Sequence, residues 1–413
     1  MKQGVFNYLR GDKSLWVIML ILMLISLLTV YSATGTLAYK KADGNTTYYL
    51  LRQVIFITLG FSAAYFVHTI PHRNFAGISV ILYAISVPLL LYTLIRGASY
   101  NEAARWISLP GGFTFQSSDF AKLALMMFLA TLLSNRQNEI KELKKGFLYM
   151  LIPVGITCGL ILPANFSTAA LLFMSAMLLL FSGRVQIKHI MYLGGVALVG
   201  LTIFIVIALN SSDSGRVGTW KRRIENFVSK GGDNFQSDQA KIAISTGGFF
   251  GKGPGQSVQR NILPHPYSDF IYAIIVEEYG LVMGIVIMAL YLMILFRTVA
   301  LIRKCKLVYS ALLVTSMTIL LVLQAFVHIA VNTGIFPVTG QTLPMISMGG
   351  TSMIFNGIQM GIILGVSREL KENPAEFAIT NEEDESKSDE ELKEKGNNNK
   401  NGNESKASSA SVN

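Results

Sequence analysis

Leu15-Trp-Val-Ile-Met-Leu-Ile-Leu-Met-Leu-Ile-Ser-Leu-Leu-Thr-Val-Tyr-Ser-Ala-Thr34 is an uncharged, mostly apolar run near the start of the chain. A helix rises about 1.5 Å per residue, so a run of this length crosses a hydrocarbon core ~30 Å thick. It is too long for the apolar region of a cleaved signal peptide, and no small-residue cleavage site precedes the next apolar run, so it is expected to remain as a membrane helix. Comparable runs recur at 50–68, 76–95, 117–134, 146–162, 164–182, 187–209, 269–297, 307–331 and 344–366, which with 15–34 makes ten expected spans. With 51% hydrophobic and 15% charged residues, the chain reads as an all-α, polytopic integral membrane protein. A large loop, 210–268, separates spans seven and eight.

Alternate short loops carry the cations: Lys2, Arg10 and Lys13; Arg73; Arg136, Lys141, Lys144 and Lys145; Arg184 and Lys188; Arg297, Arg303, Lys304 and Lys306. The positive-inside rule places these loops and both termini in the cytoplasm, and the 210–268 loop outside. The formal charge of +10 divides unevenly. From Lys371 onward 6 Lys/Arg face 11 Asp/Glu, a net −5, which leaves +15 for residues 1–370. The basic part is the membrane body, so topology and anionic lipid account for its charge and no nucleic-acid partner is expected. Residues 1–13 read as a cytoplasmic segment and 14–369 as the membrane domain. The acidic 370–413 tail has almost nothing apolar to bury and is expected to be disordered.

Cys158 falls in a span and Cys305 in an inner loop, so no disulfide is expected between them, and the five histidines are expected to be loop or packing residues, not metal ligands. The sequons at Asn45, Asn165 and Asn210 are too short to carry weight. Gly251-Lys-Gly-Pro-Gly255 lacks the Lys-Ser/Thr of a phosphate-binding P-loop.

The best candidate for chemistry is His265-Pro-Tyr-Ser-Asp-Phe-Ile-Tyr-Ala-Ile-Ile-Val-Glu-Glu-Tyr-Gly280, where a polar loop runs into an apolar one. A carboxylate at the bilayer centre costs roughly 2.5–3.5 kcal/mol on insertion scales, so Asp269, Glu277 and Glu278 at a span entrance need a compensating role. Three other polar stretches are expected near the same outer face. Arg105-Trp-Ile107 precedes Gln116-Ser-Ser-Asp-Phe-Ala-Lys122, in which Asp119 and Lys122 share a helix face and either pair with each other or, with Arg105, hold an anionic head group. Between Arg216 and Arg260, apolar residues and glycines alternate with cations, which suits an interfacial segment whose turn offers amides and Lys252 to phosphate. The run from Asn332 to Ser352 puts two prolines and four glycines into the last two spans. Irregular backbone at that depth either lines a cavity or forms a supporting re-entrant turn.

Together these stretches resemble the SEDS family, the bacterial membrane proteins of the FtsW and RodA group. The resemblance covers about residues 14–369, is carried most specifically by Ser268-Asp-Phe-Ile-Tyr-Ala273 with Glu277 and Glu278, and in Gly251–Gln259 looks more like the division branch than the elongation branch. It departs from the family at Gln116-Ser-Ser-Asp119, where Gln-Pro-Ser-Glu is usual. At Pro163-Ala-Asn-Phe-Ser-Thr168 the usual Asp and Gly are missing, and Met348 stands where an aromatic residue is common. The resemblance implies a peptidoglycan glycosyltransferase that polymerises lipid II in the inner membrane, at the septum, with a class B penicillin-binding protein transpeptidase and other divisome proteins as partners. Inverting transfer then needs one base, Asp269. Arg105, Asp119, Lys122, Lys252, Gln256, Glu277, Glu278 and Ser347 are the candidate substrate-binding residues. No cofactor or metal site is indicated, although a divalent cation on pyrophosphate stays open. The rival readings are a lipid II flippase, which needs polar groups through the whole bilayer, and a noncatalytic divisome scaffold, which leaves Asp269 without a reason.

Overall fold

The structure, a computed structural model, describes residues 9–374 apart from 36, 38–44, 97, 101–102, 110–112, 141 and 211–234. The Trp220–Arg223 cluster and the tail from 375 on lie outside the described residues. The helices are α1 Lys13–Ala33, α2 Thr46–Thr69, α3 His72–Arg96, α4 Ser117–Asn135, α5 Tyr149–Ile161, α6 Phe166–Ser182, α7 Ile187–Asn210, α8 Phe235–Gly247, α9 Ile271–Ile302, α10 Val308–Asn332 and α11 Thr351–Glu372. A helix stands at each of the ten places where a span was expected, and α8 is an addition inside the long loop. By length and composition six of them, α1 to α4, α9 and α10, suffice to cross a membrane; α6 and α5 with its lead-in are shorter apolar helices.

Local sequence explains several of the starts. Asp12 Oδ1 accepts from Ser14 N (2.8 Å), Asn45 Oδ1 from Tyr48 N (3.2 Å) and Asn165 Oδ1 from Thr168 N (3.3 Å), each satisfying an amide that a helix leaves without a partner. Burial then sorts the helices. In α4 and α10, 72% of the most apolar window is buried inside the protein, against 22% in α2 and α3, so α4 and α10 form the centre and α2 and α3 the flank. Where α2 meets α11, Gly60 and Ala64 face Gly357 and Gly361. A Cβ added at Gly361 would come 2.7 Å from the Ala64 carbonyl oxygen, and one at Gly357 would run into that of Gly60. Small residues at four-residue spacing let the two backbones touch, a contact that needs no hydrophobic effect between helices.

Three features differ from the sequence reading. First, the chain is not purely helical. Ala98–Tyr100 (β1), Ala103–Leu109 (β2) and Phe113–Gln116 (β3) form an antiparallel sheet with Trp106 opposite Gln116 and Leu109 opposite Phe113. The β3 edge sits on α11, with Gln116 N donating to Thr351 Oγ1 (3.4 Å) and Phe115 stacked edge-on to Phe355. Second, the last span does not begin at 344; residues 344–350 are irregular and α11 starts at Thr351. Third, α9 is broken.

At Gly280 (φ 79°, ψ 175°) the backbone enters a region open essentially only to glycine. The freed groups are taken up by residues 248–253: Lys252 N donates to the Glu277 carbonyl and Gly253 N to that of Glu278 (both 2.9 Å), while Leu281 N donates to the Gly248 carbonyl (2.9 Å). The break persists because another backbone satisfies it. A Cβ on residue 280 would run into the Phe249 carbonyl oxygen. Gly280→Ala is therefore expected to cost at least the ~1–3 kcal/mol of a strained backbone and to lower the thermal midpoint of the detergent-solubilised protein; an unchanged midpoint would mean the loop is not held on the helix as described.

Candidate functional site

Asp269 lies one residue before Phe270, the N-cap of α9, and is partly buried. Its main chain is held from both sides. Asp269 N and Ser268 N both donate to the His265 carbonyl (3.1 Å each), and the carbonyls of three consecutive residues accept from one later stretch of chain. Met348 N donates to Tyr267 O (3.0 Å), Ser347 Oγ to Ser268 O (2.7 Å) and Asn332 Nδ2 to Asp269 O (3.2 Å). The side chain receives Ser268 Oγ on Oδ1 (3.0 Å), and a Cβ on Gly340 would lie 3.5 Å from Oδ2. Among the described residues, the non-glycines in the left-handed region are Arg184, His265 (φ 55°) and Met345 (φ 63°), and the last two sit in the two segments that meet here. Backbone strain of this kind collects where the surroundings over-determine a geometry.

The Asn332–Ser352 stretch thus behaves mainly as the supporting turn. Gln341 and Leu343–Ser347 are buried against the protein, while Val338, Thr339 and Gly340 stay partly exposed, with Gly340 beside Asp269. Ser347, expected to bind substrate, is committed elsewhere: its hydroxyl also accepts from Leu343 N (2.8 Å). Its contribution is to hold the 268 carbonyl.

Asp119 and Lys122 do pair, at 2.8 Å, in the interior. Lys122 is only 4% exposed, and its ammonium also reaches Gln324 Oε1 (3.3 Å); Ser352 Oγ donates to Asp119 Oδ2 (2.6 Å). Gln324 belongs to a polar row on α10. Gln324 Nε2 donates to the Thr342 carbonyl (2.9 Å), His328 Nδ1 to that of Gln341 (2.8 Å), and Asn332 to that of Asp269. Gln341 Nε2 in turn donates to Thr168 Oγ1 (2.6 Å), just past the Asn165 cap. A four-residue step puts Gln324, His328 and Asn332 on one helix face. That face carries the loop beside Asp269.

Glu277 and Glu278 flank the α9 break and point to different partners. Glu277, with no exposed surface, accepts from Lys252 Nζ (2.6 Å), Ser257 Oγ (2.5 Å), Val258 N (3.2 Å) and Gln259 N (3.2 Å). It organises the loop from inside instead of facing a substrate. Lys252 keeps 30% of its side chain exposed, while Gln256 is exposed beyond it. Glu278 receives Ser32 Oγ and has Arg260 at 3.9 Å; Arg260 Nη1 also donates to the Ser32 carbonyl (3.1 Å). Arg105 lies on β2, with its side chain outside the described residues. Among the described residues, no three His, Cys, Asp or Glu side chains converge as a metal site requires.

Sequence reasoning missed Gln324, His328, Gln341, Thr168 and Arg260. The signal for the α10 residues was present: polar side chains at i, i+4 and i+8 in an apolar span face the protein interior.

Residues 12–372 match the model of the cell cycle protein family FtsW/RodA/SpoVE. Stage V sporulation protein E of Bacillus subtilis (strain 168) is 32% identical over 361 residues, covering 86% of this chain and 97% of that protein. A probable peptidoglycan glycosyltransferase FtsW of Geobacter sp. (strain M18) is 32% identical over 368 residues, with coverage of 86% and 97%. In fold, the chain resembles a component of a peptidoglycan synthase complex described as coordinating polymerization and crosslinking, with TM-score 0.69 and 23% identity over 87% of this chain and 98% of the other. It also resembles the rod shape determining protein RodA of Thermus thermophilus, with TM-score 0.62 and 24% identity over 88% and 98%.

Proposed function

This chain belongs to the FtsW/RodA/SpoVE family of cell cycle proteins, and from that premise we propose that it is a peptidoglycan glycosyltransferase polymerising lipid II during septal wall synthesis. It works in the bacterial inner membrane with both termini in the cytoplasm and the 210–268 loop outside. A class B penicillin-binding protein transpeptidase and other divisome proteins are its partners.

The acceptor's 4-hydroxyl oxygen attacks the anomeric carbon of the donor sugar, and the bond from that carbon to the pyrophosphate oxygen breaks. The hydroxyl proton passes to Asp269. One displacement turns the α-linked donor into a β-1,4 product, so no covalent enzyme intermediate forms, by analogy with inverting hydrolases. The undecaprenyl pyrophosphate leaves with new negative charge, which fixed cations offset. Lys252 retains exposed surface for this and Arg105 remains a candidate, whereas Lys122 is enclosed and already bound to Asp119 and Gln324.

The observation that carries this reading is a partly exposed carboxylate on a main chain fixed at three successive carbonyls. A base needs that kind of placement, and a scaffold would not. Purified protein, with and without its partner transpeptidase, given labelled lipid II in detergent should yield glycan strands. No product under either condition, with protein that still binds lipid II, would refute polymerase activity and favour the flippase.

The tail plays no part in this chemistry. Deleting residues 375–413 is expected to leave polymerisation by the purified protein unchanged, because the segment holds too little apolar surface to fold and lies on the side opposite the reaction. In cells the same truncation should impair recruitment instead, since an acidic segment repelled by the anionic inner leaflet suits a tether to cytoplasmic partners. A truncated enzyme that binds lipid II normally but turns it over much more slowly would overturn this division of labour.

A further inference from the structure

In an α-helix the amide of residue i+4 donates to the carbonyl of residue i. Extended back by one residue, α9 would join Ala273 N to the Asp269 carbonyl. That bond is not made. Ala273 N donates to Asn332 Oδ1 (3.1 Å), and the Asp269 carbonyl accepts from Asn332 Nδ2 (3.2 Å), so the side-chain amide of Asn332 is inserted between the two groups. One position on, the ordinary pattern is in force, with Ile274 N donating to the Phe270 carbonyl (3.2 Å).

Asn332 is suited to this insertion in three ways. It is fully buried, and its bond from Ala273 N is closed to water. Its amide is itself oriented, because Nδ2 also donates to the His328 carbonyl one turn back on α10 (2.9 Å). Only a primary amide of this length offers a donor and an acceptor on one short arm, as a peptide unit does.

We infer that Asn332 is a positioning residue for the glycosyl transfer: by replacing the first hydrogen bond of α9 it keeps Asp269 out of the helix and aims its carboxylate at the acceptor. Without the wedge, Ala273 N and the Asp269 carbonyl regain each other, the helix grows back through residue 269, and the carboxylate swings with its backbone. A misplacement of ~1 Å is enough to cost about 10²-fold in rate. Asn332 touches no reacting atom in this scheme. The inference rests on Asp269 being the base.

The test is steady-state polymerisation of lipid II by purified N332A and N332D, with D269N alongside and thermal midpoints measured for all three. N332D is isosteric and keeps the acceptor for Ala273 N while losing the donor to Asp269 O, so it decides the matter if N332A fails to fold. The expected result is a fall in kcat of about 10²-fold with KM for lipid II unchanged within about threefold, in protein whose midpoint stays near wild type. Near-wild-type kcat in folded N332D, or a loss that appears wholly in KM, would overturn the inference. Turnover retained by D269N would instead refute the base assignment, so the two failures are told apart.

Discussion

Asp269→Asn leaves a folded, lipid II-binding protein that no longer polymerises. The substitution conserves size, and the anchors of residue 269 are its own amide and carbonyl, held by His265 and Asn332, so they survive any change of the side chain. What disappears is the basic oxygen pair. General-base assistance is worth about 10²–10⁴-fold, and Glu277, engaged by four donors, is not free to substitute. Product length on gels and lipid II binding in detergent are the two readouts. Retention of more than a few per cent of turnover would take Asp269 out of the base role.

Lys122→Ala is expected to lower the thermal midpoint and the yield of folded protein sharply, and Lys122→Arg to do less damage. The ammonium is 4% exposed and Asp119 7%, so deleting the cation leaves a carboxylate in the interior with Ser352 as its remaining described partner. Breaking one side of a buried pair costs about 3–5 kcal/mol, a large share of the ~5–15 kcal/mol by which native domains are stable. The Asp119→Asn, Lys122→Gln double variant removes both charges while keeping hydrogen-bonding groups, and its thermal midpoint should return toward wild type. Failure to recover would show that the charges are needed for something besides each other. Turnover of the recovered protein then measures how far the pair acts through structure alone.

Much of the architecture was legible because long apolar runs announce helices: a helix stands at each expected place, and six of those described are long and apolar enough to cross a membrane. The reading failed where backbone departs from regularity. The sheet has a local signature, Arg105-Trp-Ile-Ser-Leu109 and Phe113-Thr-Phe-Gln116 around Pro110-Gly-Gly112, a strand, turn and strand pattern that the length of apolar runs does not register. The Gly280 break has none, since glycine is common in membrane helices and its φ depends on a loop thirty residues upstream. For the site, Asp269 stood out by chemistry, a carboxylate at the edge of an apolar run. Ser347 and Glu277 read as substrate ligands in the sequence because residue type shows what a group can bind and not what it already holds. Gln324, His328 and Asn332 were readable as a row, but their partners, the 337–350 loop for the first two and the Asp269 carbonyl and Ala273 amide for Asn332, are brought to them only by tertiary packing.

The break in α9 also bears on how this segment enters a bilayer. Residues 281–302 make a helix of about 33 Å, enough to cross alone, whereas 271–279 reach only about 14 Å. The insertion machinery therefore meets, after Gly280, an apolar segment whose one charge is Arg297 near its cytoplasmic end in the proposed orientation. Glu277 and Glu278 need never be transferred into lipid, and the insertion penalty that three acids in one span would impose does not arise. The short piece settles afterwards onto protein, where Ser32, Lys252, the Ser257 hydroxyl and the Val258 and Gln259 amides receive the acids. Assembly then has an order: the membrane crossing forms first, and the edge that carries Asp269 is built on it as the loop docks.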